Sequence, residues 1–160
     1  MLDENSARDW RDRLQRLWAE RIPLAGAMRV EVRSLDDRGL CLAAPLPPNQ
    51  NHVGTAFGGS LQGLATLAGW GVTLVTAGAA TDVGVVVAEA GMRFITPVTG
   101  ELVAIAAWPA AEDAAAFRRG LAERGRARLR VQVEIAGRGR GSAGAATFSG
   151  EFVARRAPPD

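Results

Sequence analysis

From Val53 to Thr81 the chain carries no charged side chain. A run of that length admits two readings: a helix that crosses a membrane, or a helix buried on every side inside a domain. The membrane reading has the length, and Gly59 and Gly63 stand at the GxxxG spacing of packed spanning helices. Three features favour burial. Gln62, Thr66, Thr73, Thr76 and several glycines interrupt the run, no arginine cluster flanks either end closely, and the segments that follow alternate like strands of a folded sheet. The expectation is a long buried helix from Gly58 to about Ala80, and no membrane.

The rest of the chain supplies what would bury it. SARDWRDRLQRLWAER, residues 6–21, repeats Trp10, Leu14, Leu17 and Trp18 at helical spacing. Ser6 is the expected N-cap, and Pro23 is expected to end the chain's first helical region. In AMRVEVRSL, Met28, Val30 and Val32 alternate with Arg29, Glu31 and Arg33, which reads as a half-buried strand. Asp36 to Gly39 turns it into a partner at Leu40–Ala44. PLPPNQ, residues 45–50, cannot continue a sheet. After the buried helix come a strand from Gly84 to Val98, an apolar and therefore central strand from Glu101 to Trp108, a short helix from Glu112 to Arg124, and the alternating strand ARLRVQVEI. A tight turn at 137–141 leads to a last strand over 143–154, and residues 157–160 are expected to be disordered. Strands and helices do not alternate one by one, so the fold class is α+β: one domain over 1–160, an antiparallel sheet wrapped around a central helix. Its open edge is expected to pair with a second copy.

Composition removes several function classes. All 19 basic residues are arginine, a bias that weakens any functional reading of a single arginine. The net charge is only +2 and no row of exposed aromatics forms a stacking platform, so no nucleic-acid partner is expected. The arginines at 118, 119, 124, 126, 128 and 130 could meet phosphates or an acidic protein face, but Glu123 and Glu134 dilute them into an ordinary solvated face. A single cysteine, Cys41, allows no internal disulfide, and one His with one Cys gives no zinc constellation. The acidic, polar N-terminus does not look like a secretory signal, which leaves the cytoplasm as the expected location.

The stretch NHVGTAFGGSLQGLATLAGWG, followed by MRFITPVTGEL, resembles the hotdog-fold thioesterases, most closely the family typified by the C-terminal domain of YiiD. The resemblance runs from about Ala27 to Phe152. It implies a hotdog homodimer that acts on acyl-CoA or acyl-carrier-protein thioesters, with CoA or phosphopantetheine arriving as part of the substrate and no separate cofactor. Related thioesterases of the phenylacetate-pathway type carry N-x-x-x-x-x-H-G-G with an acidic residue eight positions beyond the first glycine. Asn51 matches the asparagine. Phe57 stands at the histidine position and Thr66 at the acidic one.

Glycines at the start of a helix leave backbone N–H groups open to a substrate carbonyl, so Gly58 and Gly59 are the expected oxyanion hole. The plainer role for the pair is close packing of helix on sheet. His52 is the chain's one histidine, and an imidazole ordinarily titrates near neutrality, which suits a general base; it could equally cap the loop. Asn51 could hold the attacking water or form a turn. Thr55, Phe57, Ser60 and Thr66 are expected to line the substrate site. Glu89 is included because a carboxylate buried among its apolar neighbours could act as a base; the plainer role is an edge position paired with Arg93. Two alternatives stand beside hydrolysis: a non-catalytic acyl-CoA-binding module, and a hydratase or dehydratase that would need His52 and Glu89 to face one substrate.

Overall fold

The structure, a computed structural model, describes residues 3–78, 83–137 and 144–157. In chain order the elements are α1 (Glu4–Arg21), α2 (Pro23–Ala27), β1 (Glu31–Asp36), β2 (Gly39–Ala44), a 3-10 turn (Pro47–Asn49), α3 (Gly58–Thr76), β3 (Val83–Phe94), β4 (Leu102–Ala107), α4 (Ala111–Arg124), β5 (Arg126–Gly137) and β6 (Ala146–Arg156).

The uncharged run becomes α3. Twelve of its nineteen residues are buried, from Leu61 to Thr76. Six antiparallel strands in the order β1-β2-β4-β5-β6-β3 curl around it, and α3 touches five of the six. This is the hotdog arrangement, α+β as the sequence implies. Among the described residues no helix is long and apolar enough to cross a membrane.

Two glycines set how closely the sheet approaches. A Cβ at Gly69 would lie 2.5 Å from the buried Phe152 ring, and one at Gly71 would lie 2.5 Å from Leu40 and 3.3 Å from Trp18. Leu40, Leu42, Ala104, Leu129, Val133, Ile135, Phe148 and Phe152 complete the core. The expected alternation of β5 holds, with Leu129, Val131, Val133 and Ile135 all buried. β4 lies inside the sheet between β2 and β5, but only one of its faces is covered: Leu102, Ala104 and Ala106 are buried, and Ile105 is 40% exposed.

Several boundaries differ from expectation. α1 starts at Glu4, capped by Asp3, whose carboxylate accepts from the Asn5 and Ser6 N–H groups and from the Ser6 hydroxyl. These bonds, led by those from Ser6, hold Asp3 below the usual carboxylate range. Pro23 opens α2 at its first position, where its missing N–H costs nothing. β1 starts at Glu31, because Met28 caps α2 and Arg29 adopts φ 56°. Met28 and Val30 are buried by that turn and not by strand pleating. Gln15 of α1 then serves the outer edge of β1 as a substitute strand: its amide donates to Val30 O and accepts from Val32 N. β3 ends at Phe94, before Pro97, which has no N–H to donate to a ladder. α3 ends at Thr76; of the turn expected at 137–141, Gly137 ends β5 and residues 138–141 lie outside the described set, as do residues 79–82 and 158–160, and Ala157 is exposed.

The close helix–sheet approach generates a paired prediction. Gly69→Ala should lower stability by about 1–3 kcal/mol, because Phe152 has no space to yield. Gly26→Ala, with nothing within 4 Å of the new methyl, should raise it by about 0.5–1 kcal/mol. Urea unfolding of both variants beside the parent chain measures the two signs.

Candidate active site

The segment between β2 and α3 is held by two asparagines. Asn49 is buried; its Nδ2 donates to Met28 O and Pro45 O, each at 2.8 Å, and its backbone carbonyl accepts from Phe57 N at 2.7 Å. One residue, through its side chain and its backbone carbonyl, thus joins α2, the end of β2 and the residue that precedes α3. Asn51 organises the loop itself. Its Oδ1 accepts from Val53 N at 3.0 Å and Thr55 N at 3.1 Å, and its Nδ2 donates to Thr55 Oγ1 at 2.9 Å. Gly54, at φ 81°, makes the reversal that an L side chain would strain. Ala56 N donates to the carbonyl of the buried Val98 at 2.8 Å, which fixes the loop's far end to the β3–β4 connection.

This anchoring puts Phe57 at the N-cap of α3, in extended geometry with no side-chain acceptor for the helix start. The first intrahelical bond is Leu61 N to Phe57 O at 3.1 Å. The N–H groups of Gly58, Gly59 and Ser60 therefore have no acceptor in the helix. No acidic residue occupies the first turn, so the positive end of the helix is not neutralised by its own side chains. The glycine pair makes room for aromatic rings. A Cβ at Gly59 would lie 2.4 Å from the Phe57 ring, and one at Gly58 would lie 3.2 Å from the Phe94 ring. Both rings are more than half exposed, at 56% and 54%.

A groove of about 450 Å³ opens from this point. One wall is a stripe of α3: Gly59, Gln62, Gly63, Thr66, Leu67 and Trp70. The other wall is Ile22, Leu24, Ala25 and Met28 from α2 and its flanks, with Val87 from β3. Among the described residues no charged side chain lines it. A second cavity, about 400 Å³, lies at the opposite end of α3, lined by Val75 and Thr76, and contains Asp36, Asp37 and Arg118.

The expected site residues fall as follows. Gly58, Gly59, Phe57 and Ser60 gather at the α3 N-terminus, and Thr66 shares the groove with Gly59. The Thr66 hydroxyl donates to Gln62 O at 2.8 Å. Asn51 and Thr55 bond each other in the half-buried loop, so both ends of the Asn51 amide are committed there. His52 is exposed on the same loop. Glu89 is exposed on β3, opposite Glu151 and next to a bulge, so in the single chain it lacks the burial that would turn it into a base. It makes no ion pair with Arg93 among the described residues. Cys41 is half-buried, and burial pushes its thiol up, away from nucleophilic character. Arg124 pairs with Glu123, and Arg128 and Arg130 pair with Glu151, as a solvated face would. Among the described residues no group of three or more His, Cys, Asp or Glu could hold a metal ion.

Sequence reasoning missed Asn49, Phe94 and the α2 wall. Positions 59, 62, 63, 66, 67 and 70 form one stripe at helical spacing, a signal that was present in the sequence.

The family model described as "Putative thioesterase (yiiD_Cterm)" matches residues 11–156. Among solved structures, a protein of unknown function from Chlorobaculum tepidum is 30% identical with a TM-score of 0.83, over 91% of this chain and 93% of that one. A "putative thioesterase" from Shewanella oneidensis is 28% identical with a TM-score of 0.80, over 94% of this chain and 99% of that one. A Pseudomonas aeruginosa protein shares the fold at 22% identity and a TM-score of 0.73, over 91% and 95% of the two chains.

The Asn51 bonds give a local prediction. Asn51→Ala should speed hydrogen exchange at the Val53 and Thr55 amides by about tenfold, the loss of one net hydrogen bond at each, and leave the amides within α3 unchanged. Exchange followed by NMR separates the loop from the helix.

Proposed function

The chain belongs to the thioesterase family of the YiiD C-terminal domain, and we propose that it hydrolyses acyl thioesters of coenzyme A or of a carrier protein's phosphopantetheine. The observation that carries the reading is the uncapped start of α3, where three N–H groups have no acceptor in the helix and one of their residues, Gly59, lines a groove with no charged wall among the described residues. Water adds to the thioester carbonyl, and the oxyanion that forms accepts hydrogen bonds from Gly58 and Gly59. The C–S bond then breaks, releasing a carboxylic acid and a thiol. Backbone donors of this kind act in the transition state because the charge develops only there.

His52 is the proposed group that takes the proton from water and returns it to the departing sulfur. Asn51 acts as a positioning residue, since its amide is bonded to the loop that carries His52. Thr55, Phe57, Ser60 and Thr66 border the substrate, with the Phe57 ring against Gly59 and Thr66 in the groove. Glu89 faces substrate only if a second copy covers it.

A second copy is part of the reading. β3 is the last strand of the sheet, with a free edge, and it exposes Val86 at 62%, Val87 at 42% and Phe94 at 54%, with Ile95 beyond it at 55%. Such an apolar edge is hazardous when open and suits pairing with an identical chain. The reading places the reaction in the cytoplasm and uses no metal or other cofactor.

One observation favours a second reading, a non-catalytic acyl-thioester-binding module. Among the described residues the groove contains no titratable side chain, and Thr66 stands where related enzymes carry an acid. Saturable binding of acyl-CoA without turnover would select it.

Position 58 is the first residue of α3, where proline fits the backbone and removes the N–H. Gly58→Pro should therefore lower kcat on acyl-CoA by about 10²–10³-fold. Gly58→Ala, which meets Phe94 in the same way but keeps the donor, should retain most of the rate. Equal rates for the two would remove Gly58 from the oxyanion hole, and no turnover of any acyl-CoA by the parent chain would remove hydrolysis. His52→Ala should lower kcat on acyl-CoA by about 10²-fold or more, and an unchanged rate would remove His52 as the base. Sedimentation velocity checks the dimer: Val86→Arg should shift the population toward monomer.

A further inference from the structure

The groove has a direction. Its α3 residues recur at three- and four-residue intervals, so they form one straight stripe nearly parallel to the helix axis. It begins at Gly59, beside the open N–H groups, and ends at Trp70. At a rise of 1.5 Å per residue, that span is about 16 Å.

Its chemistry is uniform along this length. The walls are Ile22, Leu24, Met28, Leu67, Trp70 and Val87. Gln62 and Thr66 are the polar side chains, and the Thr66 hydroxyl is turned to the Gln62 carbonyl. A carboxylate or ammonium in the occupant would meet no counter-charge there. In the middle of the stripe Gly63 lies directly against Met28: a Cβ at that position would lie 3.4 Å from the Met28 sulfur, so an occupant lies over this contact.

The last α3 residue of the stripe, Trp70, has a ring that is held in place. The Trp70 Nε1–H donates to Val85 O at 2.7 Å, and its ring lies 6.1 Å from the buried Trp18 ring.

We propose that this groove is a length-selecting slot for a straight, unbranched, uncharged acyl chain, with the carbonyl at Gly59 and the terminal methyl stopped by Trp70. An extended chain advances about 1.3 Å per carbon when its C–C bonds are near 1.5 Å, so the slot takes about a dozen carbons. The assignment rests on the thioesterase reading for the position of the carbonyl. It goes beyond that reading in naming the acyl class and the residues that measure it.

The test uses 2-oxoalkyl-CoA ketones, in which a methylene separates sulfur from the carbonyl so that no thioester can be cleaved. Butyl, octyl, dodecyl and hexadecyl forms are titrated calorimetrically into the full chain, and hydrolysis of the matching acyl-CoAs is measured separately. Affinity should rise by as much as about fourfold per added methylene through dodecyl, and should gain nothing further at hexadecyl. Trp70→Ala should extend the rise to hexadecyl. Because that variant loses the Val85 bond and can fail to fold, Gly63→Leu is the second arm. It should bring the dodecyl affinity down to within about threefold of butyl by blocking the slot one turn from its mouth.

Affinity that is independent of length, that climbs steadily through hexadecyl, or that ignores Gly63→Leu overturns the slot, as does no binding at any length. Hydrolysis of the acyl-CoAs in that event leaves the thioesterase reading standing. Graded binding with no hydrolysis does the reverse: the slot stands and the hydrolase reading fails.

Discussion

The fold is organised around enclosing a helix that has no charged side chain and twelve buried residues of nineteen. α3 cannot lie on a flat sheet, because a flat sheet would cover one side and leave the other in water. The six strands curl so that β2, β3, β4, β5 and β6 all reach it. Close approach is what makes the enclosure dense, and the positions that allow it are glycines. Gly69 admits Phe152, and Gly71 admits Leu40 and Trp18. Gly150 on β6 does the same for the Phe148 and Phe152 rings, at 2.7 and 2.8 Å from its missing Cβ. A side chain at any of these sites would push helix and sheet apart and forfeit dispersion contacts along the whole seam.

The same enclosure constrains how α3 can begin. A helix normally satisfies its first N–H groups with Ser, Thr, Asp or Asn at the N-cap, worth about 1 kcal/mol. Phe57 forgoes that contribution. The start of α3 is fixed from outside: Asn49 binds the backbone of Phe57, and Ala56 binds Val98. With the position held by neighbours, the donors need no cap and stay available to a ligand. A conventional Asp or Ser cap at position 57 would have stabilised the helix and occupied those donors at the same time.

Much of this was legible in the sequence, and the failures have physical causes. The start of α3 at Gly58 and the alternation of β5 were readable because each shows one undisturbed period. The start of β1 was misread because Met28, Val30 and Val32 alternate by coincidence, and a left-handed residue at Arg29 breaks the strand before it begins. α2 was missed because proline both ends helices and starts them, and only context decides. Of the site, Gly58, Gly59 and Thr66 were legible as residues near a helix start. The α2 wall was not, because it meets α3 only through tertiary packing. Glu89 takes the plainer of its two expected places, an exposed edge position, and the reason is related. Its apolar neighbours Val86 and Val87 suggest burial, but they lie on a free sheet edge, and hydrophobicity alone cannot separate a core from an unpaired edge.

The absence of charge that first suggested a membrane has a consequence at the site. A helix dipole acts at its N-terminus to the extent that nothing nearby cancels it. α3 has no acid in its first turn, and the groove that leads from it has no charged wall. The core around the helix is apolar, so little in the surroundings reorganises to screen the field. A single aspartate at position 60 or 62 would improve an isolated helix and weaken this one as an anion site, because the developing oxyanion would meet a fixed negative charge. The uncharged run is therefore one constraint with two effects: it obliges the sheet to wrap the helix, and it leaves the positive end of that helix unopposed where an acyl carbonyl would arrive.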